Sequence, residues 1–545
     1  MTPTPLPGAP RPASSISRRA LLGSLAAGVV APLTDVRLRA APPPQQGPAQ
    51  QRRTQAWNVR LNAARFQQDF PLAAHLSNGD EVRLPARIGN YSKGLPHNYL
   101  GEVEENAYQS LLRALASQNP ADFEHVVLGG TMRLVNPLAG LGFDLQGADS
   151  QALGLRPAPA FDSDEQAAEI AEDYWMALAR DVPFSEYAGH PLVAAAAADL
   201  TRLGGFRGPR RAGAVCADTL FRGTAPGDLS GPYVSQFLWK PAPFGAESVD
   251  RRMRTAQPGL DYLTSYAEWL NVQNGVATGT ALLDDPVPRF VRTGRDLALW
   301  VRRDVLVQAY FDAMLILFAL GIPFDSANPY TASRTQDGFA TFGEPHVVSV
   351  LCAVTTRALK AVWFQKWFVH RRLRPEQLAG RIHHHVAGVA SYPIHTDILG
   401  SPVLDEVAVR TGSHFLPMAY PEGAPLHPAY GAGHATVAGA CVTVLKAFFD
   451  ESAAIPDPVE ATADGFTLRP YTGGELRVGD ELNKLASNIA LGRNFAGLHW
   501  RSDATESLRL GEDVAMRFLA EERICFAEPF GGFSLTRFDG TRVTV

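Results

Sequence analysis

Apolar positions recur along this chain mostly at the three-and-four spacing of helices that turn one face to a core. Ala167, Ile170, Ala171, Tyr174, Trp175 and Leu178 form one such stripe, and Ser163 followed by Gln166 predicts a capping box at its start. The pattern predicts a long helix from about Asp296 to Leu320, stopped by Gly321 and Pro323, and another from about Pro345 to Val369. Further helices are expected over Ala435 to Phe449, Asp480 to Asn494 and Asp503 to Glu522. Strand-like stretches are few: Phe466 to Val478 around Gly473-Gly474, and the end of the chain around Asp539-Gly540, read as short hairpins. The expected fold class is therefore mainly α, in paired helical bundles with a few short β-hairpins. No internal repeat is visible. Two long loops rich in Gly, Pro and Asn, Pro323 to Glu344 and Pro417 to Gly433, have the length of functional segments. The second carries His427 and leads to His434 at a helix start.

Length adds that 545 residues exceed one ordinary core, so two helical halves or one large composite domain are expected. The division drawn is an N-terminal helical region at 56–290 and a helical-bundle region with the candidate chemistry at 291–545. Ahead of them, Ser17-Arg18-Arg19-Ala20-Leu21-Leu22 and the mildly apolar run to about Val30 resemble a twin-arginine export signal, placed at 1–40. A flexible linker at 41–55, with Pro42-Pro43-Pro44 and several Gln, is expected after it. The destination implied is the periplasm or the medium. With 50 basic against 55 acidic residues, a net charge of −5 argues against a general binder of nucleic acid or anionic membranes. The longest later apolar stretch noted, Ala313 to Leu320, is well short of the ~20 residues of a membrane span, so no transmembrane segment is expected in the mature protein. Cys216, Cys352, Cys441 and Cys525 lack zinc spacing, and Cys352 and Cys441 read as buried, inert thiols.

The candidate chemistry lies in the C-terminal third. Lys366 ends an apolar helix and Arg374-Pro375 follows; alone, this run reads as a solvated basic helix end favoured by the macrodipole. Gly433-His434 opens the next helix, where a glycine lets backbone N–H groups approach an anion and His434 can act as acid or base; a lone capping histidine is the plainer alternative. Arg493, His499 and Asp503 follow, with Asp503 one turn from His499 and able to fix its tautomer, or simply to cap the helix. Three cations beside apolar segments are costly to bury unless an anion sits between them, and a tetrahedral oxyanion would satisfy all three. The run His383-His384-His385 points in different directions and is read as a surface or cleft-rim feature. No Walker loop, GxSxG elbow or HExxH motif is present.

These motifs, Lys366…Arg374-Pro375, Gly433-His434 and Arg493-x5-His499-x3-Asp503, resemble in order and spacing the superfamily of type 2 phosphatidic acid phosphatases and vanadium haloperoxidases. The seven residues between Lys366 and Arg374, with Gln365-Lys366-Trp367 and His427-Pro428-x-Tyr430, are similar to the algal bromoperoxidase branch. The resemblance implies vanadate as cofactor, His499 as its metal ligand, and Lys366, Arg374, Arg493 and the Gly433 N–H around its oxygens. It implies His434 as acid/base, and His427 with Trp363 beside the halide. The activity implied is oxidation of halide by hydrogen peroxide to hypohalous acid, bromide or iodide ahead of chloride, with small organic acceptors and a homo-oligomer. An acid phosphatase working through a phosphohistidine, or a low-turnover oxyanion-binding protein, stands as the alternative. One position departs from the family: its serine is Ala432 here, so a hydroxyl donor is missing.

Overall fold

The computed structural model describes residues 47–545; the Arg18-Arg19 signal and the first six residues of the expected linker lie outside them. From Pro48 to Asp69 the chain is a helix, so the linker expectation at 41–55 fails over its last eight residues. The chain divides into two compact units, Met1–Asn58 and Val59–Val545. Apart from Gly47, the described part of the first belongs to that helix. In the second, the expected boundary at 290/291 is absent: one hydrophobic core takes residues from both sides of it, among them Trp175, Leu220, Leu297, Val354, Leu445 and Phe495.

Eight helices carry the candidate site or pack around it: α1 Asp164–Ala179, α2 Gly294–Arg303, α3 Gln308–Ala319, α4 Glu344–Phe364, α5 Pro375–Val386, α6 Gly433–Phe448, α7 Val478–Phe495 and α8 Arg501–Arg523. The centre of the bundle is α6, which packs on α4, α7 and α8. Its sequence, GHATVAGACVTVLKAF, is apolar on all sides, as a helix surrounded by helices requires. Two glycines set the tightest crossing. A Cβ at Gly439 would sit 2.0 Å from the Leu508 carbonyl oxygen, and one at Gly511 would sit 2.0 Å from that of Thr436, so α6 and α8 meet backbone to backbone. That contact fixes the N-terminus of α6, with Gly433-His434, against that of α8, with Asp503.

Short antiparallel hairpins decorate the helices: β1 Ala242–Phe244 with β2 Glu247–Val249, β3 Met253–Ala256 with β4 Asp284–Arg289, β5 Val459–Ala461 with β6 Leu468–Pro470, and β7 Ser534–Thr536 with β8 Arg542–Thr544. The last turns at Asp539-Gly540 as expected. The hairpin expected around Gly473-Gly474 instead turns between Ala461 and Leu468, where Thr462 and Thr467 exchange hydrogen bonds around Asp464-Gly465.

Four further expectations are corrected. The helix foreseen from Asp296 to Leu320 is two helices, α2 and α3, because Asp304 leaves the helix with ψ 146°. Ser163 does cap α1 by accepting from the Gln166 N–H at 3.1 Å, but the Gln166 side chain binds Arg372 instead of closing a capping box. Cys352 is exposed, whereas Cys441 is buried; all four cysteines are free. Finally, Glu344–His370 is long and apolar enough to cross a membrane by length and composition, unlike the Ala313 to Leu320 stretch. Here it packs against α6 and α8 and carries Trp363 and Lys366 to the site.

Candidate functional site

The end of α4 widens into a π-helical turn, Gln365–His370, and Arg371 then takes a left-handed conformation, φ +41°. Such local widening is often found at functional sites. It places Lys366 and Arg374, eight positions apart, in one interior space, with Pro375 starting α5 directly after Arg374. Both side chains are fully buried. Lys366 Nζ donates to the carbonyls of Pro428 (2.8 Å) and Ala429 (3.0 Å), using two of its three protons. Arg374 donates to the carbonyls of His427 (3.0 Å) and Leu498 (2.7 Å), to His427 Nδ1 (2.8 Å) and to His499 Nε2 (3.0 Å). The loop before α6 thus lends its carbonyls to the cations, and those cations hold the loop.

His499, Nδ1 2.8 Å from Asp503 Oδ2, sits in the turn before α8. Asp503 also accepts from the Trp500 N–H at 3.2 Å and from Arg372 at 3.0 Å. A carboxylate on one ring nitrogen and a guanidinium, which can only donate, on the other define the tautomer: Nδ1 carries the proton and Nε2 presents a lone pair. Arg493, near the end of α7, spends one N–H on the Val301 carbonyl (2.9 Å) and leaves its buried Nε without a partner.

Lys366, Arg374 and Arg493 have no carboxylate partner among the described residues, whereas the buried cations nearest them do: Lys93 pairs with Glu376 at 2.7 Å and Arg372 with Glu169 at 2.6 Å. The consequence is electrostatic. Burial, then Arg374, holds Lys366 well below the usual amine range, and burial takes Arg374 down to about 10. Burial and then these cations hold His499 and His427 well below the usual imidazole range. Asp503 is pushed up to about 6 by burial, opposed by Arg372. Such a cluster favours an anion strongly.

Gly433 and His434 begin α6 behind Ala432, which has no side chain to cap the helix. The first N–H groups of the helix, which lack intrahelical acceptors in any helix, therefore receive no side-chain cap from Ala432 and stand beside the cationic cluster. The Ala432 N–H itself is taken by Ser507 Oγ at 2.7 Å. Trp363 closes one side: its ring lies 4.9 Å from His427, 5.7 Å from Lys366 Nζ, and 3.1 Å from where a Gly433 Cβ would stand. His434 Nε2 pairs with Asp304 Oδ1 at 3.0 Å, and burial lowers its pKa while Asp304 opposes.

All nine residues singled out in the sequence are accounted for. Lys366, Arg374, His427, His499, Asp503, Trp363 and Gly433 are tied by direct contacts, while Arg493 and His434 join through the field they share with them. Asp304 and Arg372 escaped the reading. The signal for the first was Arg302-Arg303-Asp304, a charged triplet interrupting an apolar stretch; nothing local distinguishes Arg372 from its neighbours. The His383-His384-His385 run lies elsewhere: His383 stacks on Phe415 at 4.1 Å, and His384 meets Tyr266 and Trp269 edge-on at 5.8 Å.

Residues 346–526 match the family model described as the VCPO second helical-bundle domain. The chain is 35% identical to the vanadium-dependent bromoperoxidase of Corallina pilulifera, over 91% of this chain and 99% of that one. It is equally similar, 35%, to that of Ascophyllum nodosum, over 88% and 90%. A solved structure, the homohexameric second vanadate-dependent bromoperoxidase of Ascophyllum nodosum, superposes with a TM-score of 0.86 at 32% identity, covering 96% of this chain and 95% of that one. With relatives of this identity spanning nearly its whole length, the chain belongs to the vanadium-dependent haloperoxidase family.

Proposed function

We propose that this protein is a vanadium-dependent bromoperoxidase: it holds vanadate at the cationic cluster and uses hydrogen peroxide to oxidise bromide, or iodide, to hypohalous acid. The observation that carries the reading is the convergence of three buried cations lacking carboxylate partners on the lone pair of His499 Nε2. Vanadate fits this donor set, since it needs one nitrogen ligand and hydrogen-bond donors for several charged oxygens, and the orphaned Arg493 Nε, the third Lys366 proton and the free N–H groups of α6 supply them. His499 would be the metal ligand, and Lys366, Arg374, Arg493 and Gly433 would hold the oxygens. When bound, vanadium supplies Lewis acidity toward peroxide at an unchanged oxidation state.

The protein's own groups do the rest. Asp503 holds the Nδ1–H of His499 and keeps Nε2 turned to the cluster. Asp304 occupies His434 Nε2, so Nδ1 is free to take a proton from incoming peroxide and return it to the departing oxygen. Arg374 donates to His427 Nδ1 at 2.8 Å, a closer contact than that of the Pro428 carbonyl at 3.2 Å, and this leaves the Nε2–H of a ring packed on Trp363 to meet the halide. The three cations draw negative charge from the peroxide oxygens as it develops in the reaction.

Bromide is favoured by the relatives' activity, and a homo-oligomer by the homohexameric neighbour. Export by the twin-arginine route rests on Arg18-Arg19 and the mildly apolar run to about Val30; fractionation after Arg18→Lys with Arg19→Lys checks it, and undiminished export would refute it. The decisive assay is bromination of a phenolic dye by purified protein and peroxide, with and without vanadate. Halogenation that depends on vanadate is expected. Phosphate-ester hydrolysis without halogenation would select the phosphatase, and oxyanion binding without either reaction a binding protein.

A further inference from the structure

The helix α1 lies outside the segment that matches the family model, yet it sends acidic side chains under the His499 turn. Glu169 and Glu172 are buried there with Arg372 and Arg501. Arg372 is the hub. One of its nitrogens, Nη1, donates to Asp503 Oδ1 at 3.0 Å and Ser502 Oγ at 2.8 Å; the other, Nη2, donates to Glu169 Oε2 at 2.6 Å and Gln166 Oε1 at 2.8 Å. Its plane lies over the Trp500 ring at 4.9 Å and near that of Tyr430 at 5.7 Å. The other carboxylate oxygen of Glu169 takes the Ser502 N–H, so the same acid that orients Arg372 also secures the first turn of α8.

Four hydrogen bonds from its two terminal nitrogens hold this guanidinium in one orientation, with only Nε unpartnered. In that orientation it fills Oδ1 of Asp503 and leaves Oδ2 for His499. The carboxylate then cannot rotate, and the imidazole it faces can offer only Nδ1–H.

We propose that Arg372, fixed by Glu169, is a positioning residue for His499: by locking the Asp503 carboxylate it selects the ring tautomer whose Nε2 lone pair faces the cationic cluster. This rests on the vanadate reading for its functional consequence, but the tautomer itself can be observed without vanadate. It gives α1, remote in sequence from the catalytic motifs, a part in arranging them.

The test uses full-length protein, with 15N-histidine labelling and solid-state spectra to read the His499 tautomer at neutral pH, and equilibrium dialysis to read vanadate affinity. Arg372→Met is expected to mix the tautomers and weaken vanadate about 10- to 100-fold, the usual range for losing an outer partner of a metal ligand. In an Asp503→Asn background the same change should add less than about twofold, because its route through Asp503 is already cut. A residue that merely fills space would weaken both backgrounds equally, and that result, or an unchanged tautomer, overturns the proposal. Should Arg372→Met fail to fold, Glu169→Gln and Arg372→Lys keep shape or charge; both are expected to shift the tautomer partway, and a wild-type spectrum in both overturns the proposal. Wild-type protein that binds no vanadate would refute the proposed function while leaving the tautomer result standing.

Discussion

At the scale of single residues, the site is governed by which atoms are already satisfied. His499 is expected to be indispensable: His499→Ala removes the nitrogen that would bind the metal, and equilibrium dialysis should show vanadium retention abolished. Asp503→Ala should retain some binding, because it removes a partner of the ligand and such losses run at about 10- to 100-fold. Equal and complete loss in both folded variants would give Asp503 a direct role. Ala432 is a second test. It begins α6 with no hydroxyl, and a serine there can accept from a helix N–H while donating its own proton to an anion. Vanadate affinity of Ala432→Ser should rise, by at most the ~1.5–3 kcal/mol of one charge-assisted bond; a clear fall in titration of the folded variant would show a site shaped around alanine. Away from the site, Asp228 is buried, accepts from Ser487 and the Ala225 N–H, and keeps Oδ1 unpartnered; burial pushes it up to about 7. Its folded value lies above its unfolded one, so the folded state binds the proton more readily between about pH 4 and 7. Its contribution is complete at the acid end of that window and lost as pH rises toward 7. Asp228→Asn should therefore gain stability relative to wild type from pH 5 to pH 7, by at most about 1.4 kcal/mol per pH unit. Parallel pH profiles of the thermal midpoints would contradict this.

At the scale of elements, the periodicity finds α6, α7 and α8 to within a few residues, because α6 is apolar on all sides and α7 and α8 each carry an unbroken apolar face. It also set Asp503 one turn after His499, which is how the pair meets. The failures have a common cause. Val305-Leu306-Val307 continues the apolar run past the Arg302-Arg303-Asp304 triplet, so the break is easily passed over, and nothing local shows that Asp304 meets His434, 130 positions later. The turn at Asp464-Gly465 was likewise outweighed by the more obvious Gly473-Gly474. What periodicity cannot supply is the distance between helices, and here two glycines set it. Gly439→Ala would place a methyl carbon 2.0 Å from the Leu508 carbonyl and force α6 off α8. Overpacking of this kind costs about 1–3 kcal/mol. Because the crossing also aligns Gly433 with the His499 turn, vanadate affinity should fall together with the thermal midpoint. A variant that loses stability yet binds vanadate as wild type would separate the crossing from the site.

For the whole molecule, the two halves read from the sequence are one core, since α1 supplies Glu169 and Glu172 to the His499 turn and Lys93 holds Glu376 beside Arg374. Such long-range pairs carry no sequence spacing by which to foresee them. The motifs mark where the cationic cluster lies, but not that Lys366, Arg374 and Arg493 stand without carboxylates among the described residues while Lys93, Arg372 and Arg501 are paired. That asymmetry predicts how the protein's stability responds to anions. An oxyanion that binds the folded state alone stabilises it by about 2.7 kcal/mol at one hundred times its dissociation constant. Added vanadate, and to a smaller degree phosphate, should therefore raise the thermal midpoint of the anion-free protein. Arg493→Gln separates the two halves of this argument. Glutamine can still donate to the Val301 carbonyl, while one of three mutually repelling buried charges is removed. The anion-free variant should then melt no lower than wild type, and the rise produced by vanadate should shrink. Melting curves of both proteins with and without vanadate decide it: an equal rise in the variant would mean that Arg493 does not face the anion, and a lower anion-free midpoint would mean that its charge is neutralised within the fold.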